Sequence, residues 1–311
     1  MAVKYTRKQF DAEFPNDAAC LERLMQVNYG GTEITCPGCG VEKAQFHAMH
    51  TRKAYACQEC GHHIYPCAGT IFHKSRTPLT MWFFAMYLMT STRSGVAAKE
   101  LERALGVTYK TAWRIAHQLR KLMASADHAG PLGGAGKHVE MDETYFGGRQ
   151  TRKEQREKGS NKTIIFGMAE RDGKLRAGPV HTNWLTTIEP IVRENVKPGS
   201  IVSTDEHGGY NDLHLLGMQH GTVVHTKGQY VRYDHTFPDG KLKTIVHHTN
   251  TIESHWGHFK RSVAGTHVTV SEKHLWKYIA EFTYRRNYRA SHTMMFNRLV
   301  AAFALPSLAE T

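Results

Sequence analysis

The stretch KHVEMDETYF, residues 137–146, predicts a β-strand that carries the acidic residue Asp142 toward its end. A second apolar run, SIVSTDEHGGY at 200–210, predicts another strand that ends at Asp205. Helical segments precede, separate and follow these strands along the chain. This order of elements indicates a mixed α/β fold.

A third acidic residue, Glu253, lies in NTIESHWGHFK at 250–260, a segment that predicts a helix. Seven helical steps return almost to the starting direction, so Lys260 shares a helix face with Glu253. Carboxylates from two strand ends and a helix, brought to one point, are suited to Mg²⁺, which prefers oxygen ligands. The chain has 28 acidic residues, so the trio gains meaning only from the rest of the sequence.

The acids beside this trio are separated from it by strand alternation. Successive side chains of a strand point to opposite faces, so Glu143 and Glu206 are expected to point away from a site built by Asp142 and Asp205. Glu140 shares the face of Asp142, and an assisting role for it stays open.

Charge points to a polyanionic partner. The chain has 311 residues, enough for two or three domains, with a net charge of +12 and a pI near 9.4. A cationic surface concentrates nucleic acid around the protein. The longest apolar run, nine residues at 81–89, is too short to span a bilayer, and the first residues carry no apolar leader. We expect a cytoplasmic, reducing location without a membrane partner.

Four cysteines form two C-x2-C pairs that are separated by 17 residues, and each pair is followed by glycine. This spacing predicts one structural Zn²⁺ in a zinc ribbon at 33–68, because a tight turn aims two thiolates at one ion. Two redox-active pairs are the alternative, but neither pair follows a βαβ pattern. The expected zinc ligands are Cys36, Cys39, Cys57 and Cys60.

The segments around the ribbon predict helices. Residues 1–32 form a short helical segment, and residues 77–127 contain helix, glycine turn and helix, which is the layout of a helix-turn-helix unit. Such a unit reads the major groove with the start of its second helix, whereas an ordinary αα-hairpin is the alternative. The expected DNA-binding residues are Thr108, Tyr109, Lys110 and Arg114.

A glycine-rich linker at 128–137 separates these helices from the strand of Asp142. The stretch at 163–180 predicts a hairpin that turns at Asp172 and Gly173. The basic stretch at 148–162 predicts a loop. Together with the later helices, this order favours a fold of the ribonuclease H type over 138–305.

The chain resembles insertion-sequence transposases of the IS1595 group with an ISXO2-like catalytic domain. The motifs that carry the resemblance occur in a consistent order along nearly the whole chain: CPGCG (36–40), GTIFHKSRTPL (69–79), LGVTYKTAWRI (105–115), VEMDETYFGGR (139–149), NTIESHWGHFKR (250–261) and EFTYRRNYR (281–289). The resemblance implies a DDE-type transposase with a ribonuclease H-like core, whose acids fall on Asp142, Asp205 and Glu253.

Several further expectations follow from this resemblance. The trio would hold two Mg²⁺ or Mn²⁺ ions roughly 3.5–4 Å apart, and Lys260 would contact a phosphate. The zinc ribbon and helix-turn-helix would bind terminal inverted repeats in double-stranded DNA, the chain would act on target DNA, and a homo-oligomer, at least a dimer, would assemble. A DNA-binding regulator without catalysis, and a ribonuclease H or junction nuclease, are the alternative functions.

Overall fold

The computed structural model describes residues 5–127, 130–148, 160, 162–236 and 241–302. The chain divides into two compact units: Met1–Asp127 with Tyr288–Thr311, and His128–Asn287. The predicted catalytic domain extends to residue 305, whereas the second unit ends at Asn287. The predicted loop at 148–162 lies largely outside the described residues.

The first unit combines helices with a small antiparallel sheet. Its strands pair in the order β1-β2-β3-β4, with bounds β1 Glu33–Ile34, β2 Ala44–Ala48, β3 Tyr55–Cys57 and β4 His63–Ile64. Its helices are α1 Arg7–Glu13, α2 Asp17–Tyr29, α3 Leu79–Ser91, α4 Ala98–Leu105, α5 Tyr109–Ala126 and the C-terminal helix His292–Ala301.

Helix α3 supplies much of the core of this unit, because its own apolar side chains point in all directions around the helix. Trp82, Phe83 and Met86 are fully buried. Asp17 of α2 accepts the N–H groups of Leu79 and Thr80, at 3.0 and 2.9 Å. A carboxylate therefore satisfies the otherwise unpaired amides at the start of α3.

The predicted helix, glycine turn and helix are present at α4 and α5. Helix α4 ends at Gly106, which has a φ of 65° that glycine adopts without strain. Thr108 then caps α5 by accepting the N–H of Thr111 at 3.4 Å. The apolar stripe of α5 is buried, whereas the residues at the start of this helix are exposed.

The second unit is built on a five-stranded sheet in the order β11-β10-β6-β7-β8. Strands β6, β10 and β11 run parallel to one another, whereas β6, β7 and β8 form an antiparallel meander. Their bounds, with those of two small strand pairs, are β5 Leu132–Gly133, β6 His138–Phe146, β7 Thr163–Glu170, β8 Leu175–Val180, β9 Val196–Lys197, β10 Ile201–Thr204, β11 Gln219–Thr222, β12 Arg232–Thr236 and β13 Lys243–His247.

Helices cover both faces of this sheet. Helix α6, Leu185–Asn195, packs on the face that carries Met141 and Phe166. Helix α7, Asn250–Ser262, and helix α8, Glu272–Tyr288, pack on the face that carries Ile165. Because side chains alternate along β6, Glu140 and Asp142 point toward the face covered by α7 and α8.

The predicted hairpin and linker have defined structures. β7 and β8 are joined by the turn at Asp172, whose φ is 55°, as the sequence predicted. Within the predicted linker, Leu132 is buried and β5 pairs with β9. The N–H of Gly133 donates to Glu170 at 2.9 Å, so this segment is held to the rest of the second unit. Among the described helices, none is long and apolar enough to cross a membrane.

Candidate active site and zinc centre

Asp142 lies in the middle of β6 and faces helix α7. Its Oδ2 accepts a hydrogen bond of 3.0 Å from the indole Nε1 of Trp256, on α7. Its partner across the antiparallel pair is Gly167 of β7. A Cβ on Gly167 would stand 2.6 Å from the ring of Trp256, so the absence of a side chain lets the indole reach Asp142.

Asp205 follows β10 directly. Strands β10 and β6 pair in parallel, with Ser203 opposite Glu140. Continuing this register by two residues brings Asp205 level with Asp142 at the same edge of the sheet. The N–H of His207 donates to Oδ1 of Asp205 at 3.0 Å, which orients the carboxylate.

Glu253 lies in the first turn of helix α7, near the start of the element that packs over β6. Its Oε1 accepts the hydroxyl of Thr249 at 2.5 Å and lies 3.8 Å from Nε2 of His225. The side chain is 44% exposed, so it is reachable from solvent. Its negative charge contributes to the potential at Asp142.

Burial and neighbouring carboxylates raise the pKa of Asp142 and Asp205. Burial, followed by the charges of Asp205, Glu143 and Glu253, raises the pKa of Asp142 to about 7, against the hydrogen bond from Trp256. Burial also raises the pKa of Asp205, although the N–H of His207 opposes this. Such mutual repulsion marks acids that are close in space with too little positive charge between them.

Glu143 stands closer to the site than strand alternation implied. It lies on the opposite face of β6, where it accepts hydrogen bonds from the hydroxyl of Tyr210 and from Nδ2 of Asn183, the latter at 2.9 Å. Its charge nevertheless raises the pKa of both Asp142 and Asp205. Strand alternation predicts the face of the sheet on which a side chain lies. The charge of Glu143 on one face nevertheless affects the carboxylates of Asp142 and Asp205.

Glu206 is held elsewhere. Its two oxygens accept the N–H groups of His225 and Thr226, at 2.8 and 3.0 Å. These bonds lower the pKa of Glu206 to about 2. The side chain therefore orders the loop after β11, and its charge makes a smaller contribution to Asp205 than that of Glu143 does.

Lys260 lies two turns after Glu253 on α7. Burial lowers the pKa of its ammonium group, and the negative charge of Asp142 partly offsets this. A cavity of about 360 Å³ opens beside Lys260 and is lined also by Tyr145, Phe146, Val263 and Val268. The ammonium group is thus within electrostatic range of the acids and borders open space.

Ligand spacing distinguishes the acids from the cysteines. Four cysteines have ligand atoms that all lie within 4.8 Å of one another: Cys36, Cys39, Cys57 and Cys60. Among the described residues, this is the one set of His, Cys, Asp or Glu side chains with such a spacing. The carboxylate oxygens of the acidic trio do not all lie within this distance of one another. Its chemistry is that of hard oxygen donors, whereas the cysteines offer four soft thiolates.

The cysteine cluster has the geometry that the sequence predicted. The Sγ atoms of Cys36 and Cys60 lie 3.7 Å apart, although they come from different C-x2-C pairs. The glycines after the pairs, Gly40 and Gly61, have φ values of 75° and 72°, which turn the chain back toward each pair. Four thiolates fill a tetrahedral Zn²⁺ shell and leave no open position, so the site is structural.

The backbone also prepares this site. Burial alone raises the pKa of the Cys36 thiol, but N–H donors of Cys39 and Gly38 and neighbouring thiols outweigh it and lower the pKa to about 6. The thiolate form of Cys36, which binds metal, is therefore favoured. At Cys60 the N–H of His62 lowers the pKa, but burial and the neighbouring thiols outweigh it and raise the pKa to about 12. The two other cysteines are buried thiols, and burial raises the pKa of Cys20 to about 12 and that of Cys67 to about 11.

The residues expected to read DNA all lie at the exposed start of α5. Tyr109 is 51% exposed, and Thr108 and Lys110 are also exposed. Arg114 is exposed but is tied back by a 3.5 Å hydrogen bond to Ser75 and by a stacking contact with Trp82. The structure therefore brings the four residues to one end of the helix, where the side chains of Thr108 and Arg114 already have partners within the protein.

The sequence pattern alone favours packing against the sheet for Trp256 and does not single out Gly167. A tryptophan one helical turn after Glu253 is a usable signal, because its indole N–H needs a partner when it is buried. The position of Gly167 opposite Asp142 follows only from the register of β6 with β7. The close contact between that glycine and Trp256 belongs to the tertiary structure.

Comparison with known proteins agrees with this arrangement. The family model described as ISXO2-like transposase domain matches residues 131–287, more than half of the chain. The model described as transposase zinc-ribbon domain matches residues 15–63, which include all four cysteines of the cluster. A search of curated proteins found no match. The chain therefore belongs to the ISXO2-like transposases of the IS1595 family, and its four-cysteine cluster is that of a transposase zinc ribbon.

Proposed function

We propose that this chain catalyses divalent-metal-dependent cleavage and strand transfer of DNA at Asp142, Asp205 and Glu253. One observation carries the proposal. Parallel pairing of β6 and β10 places the first two acids level at the sheet edge, and the helix of the third packs over β6 through Trp256. Three carboxylates from three separate elements thus lie close enough for the charges of Asp205 and Glu253 to raise the pKa of Asp142, and Glu253 is 44% exposed.

The strand order supports a ribonuclease H-like core. An antiparallel meander is followed by two strands that run parallel to its first strand, in the order β11-β10-β6-β7-β8. Asp142 lies on the first strand of the meander, β6, and Asp205 directly follows the neighbouring parallel strand, β10.

The donor set fits divalent metal ions. Burial, followed by the neighbouring negative charges, raises the pKa of Asp142 to about 7, and a cation would relieve the repulsion between these charges. Asp142, Asp205 and Glu253 would hold two divalent ions through their carboxylate oxygens, which are the hard donors that Mg²⁺ and Mn²⁺ prefer. When bound, such ions supply Lewis-acid activation of the attacking oxygen and stabilisation of the leaving oxygen.

In this proposal the protein contributes position and charge. Asp142 and Asp205 hold the metal site at the edge of a rigid sheet, and Glu253 closes it from α7. Lys260 is placed to contact a phosphate of the bound strand, because it borders an open cavity near Asp142. A water molecule, and later a DNA 3′-hydroxyl, would attack the phosphodiester in line as the 3′-oxygen leaves.

The front end of the chain is proposed to select the DNA. The zinc ribbon and the exposed start of α5, with Thr108, Tyr109, Lys110 and Arg114, are placed to bind terminal inverted repeats. The net charge of +12 favours a double-stranded polyanion as partner, with affinity that falls as salt rises. Joining two element ends requires at least a homodimer, working in the cytoplasm where the DNA is.

A strand-transfer assay with a pair of element ends in Mg²⁺ tests this function. Wild type is expected to cut the ends and join their 3′-hydroxyls to target DNA, whereas Asp142→Asn is expected to bind the ends without cutting them. Full cleavage by that variant would refute the assignment. Binding without cleavage by wild type would favour a regulator, and hydrolysis without joining would favour a nuclease.

A further inference from the structure

Glu140 is a fully buried carboxylate two residues before Asp142, on the same face of β6. Its Oε2 accepts the backbone N–H groups of Thr251 and Ile252, at 2.6 and 3.2 Å. Its Oε1 accepts the hydroxyl of Thr251 at 2.9 Å. The N–H groups in the first turn of a helix have no partner within it, and that end of a helix favours negative charge. Glu140 therefore caps α7 from another element.

Arg171 completes this contact from the other side. Its Nε donates to Oε1 of Glu140 at 2.8 Å. Its two terminal nitrogens donate to the backbone carbonyls of Val246, at 2.7 Å, and His248, at 3.2 Å. The carbonyls before α7 are thus held by the arginine, while the amides at its start are held by the glutamate.

The surrounding groups show that Glu140 is fully engaged. Four donor groups point at its two oxygens: Nε of Arg171, both the N–H and the hydroxyl of Thr251, and the N–H of Ile252. His248 Nδ1 lies 3.0 Å from Oε1 without a hydrogen bond. A carboxylate with this burial and these partners is not free to bind a metal ion directly.

We propose that Glu140 and Arg171 are positioning residues, which set where the carboxylate of Glu253 stands relative to Asp142. The contact links the proposed ligands Asp142 and Glu253 through only a few residues. Glu140 is two residues before Asp142, and Ile252 is one residue before Glu253. Glu253 lies between Ile252 and Trp256 on α7, so α7 is tied to β6 on both sides of this proposed ligand. This inference rests on the proposed metal site.

The test compares Glu140→Gln with a matched control in the full-length chain. Glutamine keeps the size of the side chain, but it removes the charge opposite Arg171 and turns one acceptor into a donor. Glu170→Gln is the control, because Glu170 also accepts a backbone N–H, from Gly133, and pairs with a cation, Lys137. Those contacts hold the β5 segment and not the start of α7.

The main readout is Mn²⁺ binding, measured by electron paramagnetic resonance without DNA, together with thermal unfolding. Loss of a group that orients a metal ligand weakens metal affinity by about 10- to 100-fold. Glu140→Gln is expected to show such a loss in Mn²⁺ affinity, and the control is expected to bind as wild type does. In the cleavage assay, the Mg²⁺ concentration at half-maximal rate should rise similarly, while the rate at saturating Mg²⁺ stays within about threefold.

The outcomes separate this inference from the function beneath it. Wild-type Mn²⁺ affinity in folded Glu140→Gln would overturn the positioning role and leave the proposed function standing. Equal Mn²⁺ binding by wild type and Asp142→Asn would instead overturn the metal site itself. If Glu140→Gln does not fold, Arg171→Lys decides the matter. That variant keeps the charge but loses the simultaneous bonds to Glu140 and the two carbonyls, and unchanged Mn²⁺ affinity in it would reject the inference.

Discussion

The indole Nε1 of Trp256 donates a 3.0 Å hydrogen bond to Oδ2 of Asp142, and so links helix α7 to the strand of the first acid. This bond favours the ionised carboxylate and lowers the pKa of Asp142 against burial and repulsion. Asp142 accordingly depends on a residue from the element that carries the third acid. The packing of α7 and the electrostatics of the site are therefore coupled.

Trp256→Phe is expected to shift the pH dependence of metal-supported cleavage upward by about one unit, because a hydrogen bond to a charged group is lost. Metal binding requires the deprotonated carboxylate, so a higher pKa of Asp142 demands a higher pH. The pH–rate profile at subsaturating Mg²⁺ measures this shift. Trp276→Phe, the same substitution on α8, is the control, and an identical shift in both variants would contradict the assignment.

Gly167→Ala is expected to lower the free energy of unfolding by about 1–3 kcal/mol, the usual cost of overpacking. The added Cβ would stand 2.6 Å from the Trp256 ring and push the indole away from Asp142. Denaturant unfolding measures the cost, and cleavage activity should fall with it. Gly178→Ala in β8 is the matched control, since its Cβ would meet nothing within 4 Å. Equal stability of the two variants would show that Trp256 moves without cost.

The contribution of Asp142 to the stability of the protein, without added divalent ions, is expected to fall as pH rises from about 4 to about 7. Asp142 has its pKa raised from 3.8 to about 7 in the folded state, so the folded state binds this proton more tightly than the unfolded one. The penalty is absent below the unfolded pKa and fully present above the folded one. It amounts to at most about 4 kcal/mol.

Urea unfolding of wild type and Asp142→Asn at pH 5 and pH 7.5 measures this contribution. Asparagine cannot ionise, so the variant should gain stability relative to wild type at the higher pH. Adding Mg²⁺ should restore wild type at pH 7.5, because the bound form stabilises the folded state. A difference between the two proteins that does not change with pH would contradict the raised pKa of Asp142.

Cys39→Ser is expected to remove the bound Zn²⁺, because a structural site needs all four thiolates. Metal analysis of the purified full-length chain should fall from one Zn²⁺ per chain to well below one. Cys67→Ser is the control, since this buried thiol lies outside the cluster within 4.8 Å spacing. Zinc retained in the first variant, or lost in the second, would show that the ligand set is wrong.

Local patterns predicted many elements of this fold. The stretch at 137–146 predicted β6, Asp172 and Gly173 predicted the turn of the hairpin, and Gly106 predicted the end of α4. These features depend on residues near one another in the chain. The C-terminal helix His292–Ala301 was not separated from the second domain, because its partners lie far away in the sequence: Phe296 packs on Phe10, with ring centres 6.0 Å apart.

The sequence by itself determined the zinc ligands, the strands and helix that carry the three acids, and the family, since each depends on short motifs or their order. Only the tertiary structure decided what surrounds those acids. Glu143 acts on Asp142 and Asp205 across the sheet edge, and Trp256 reaches Asp142 over Gly167. Glu140 and Arg171 hold the start of α7. Strand register and helix packing set these distances, because they bring together residues that are more than 100 positions apart, such as Glu140 and Thr251.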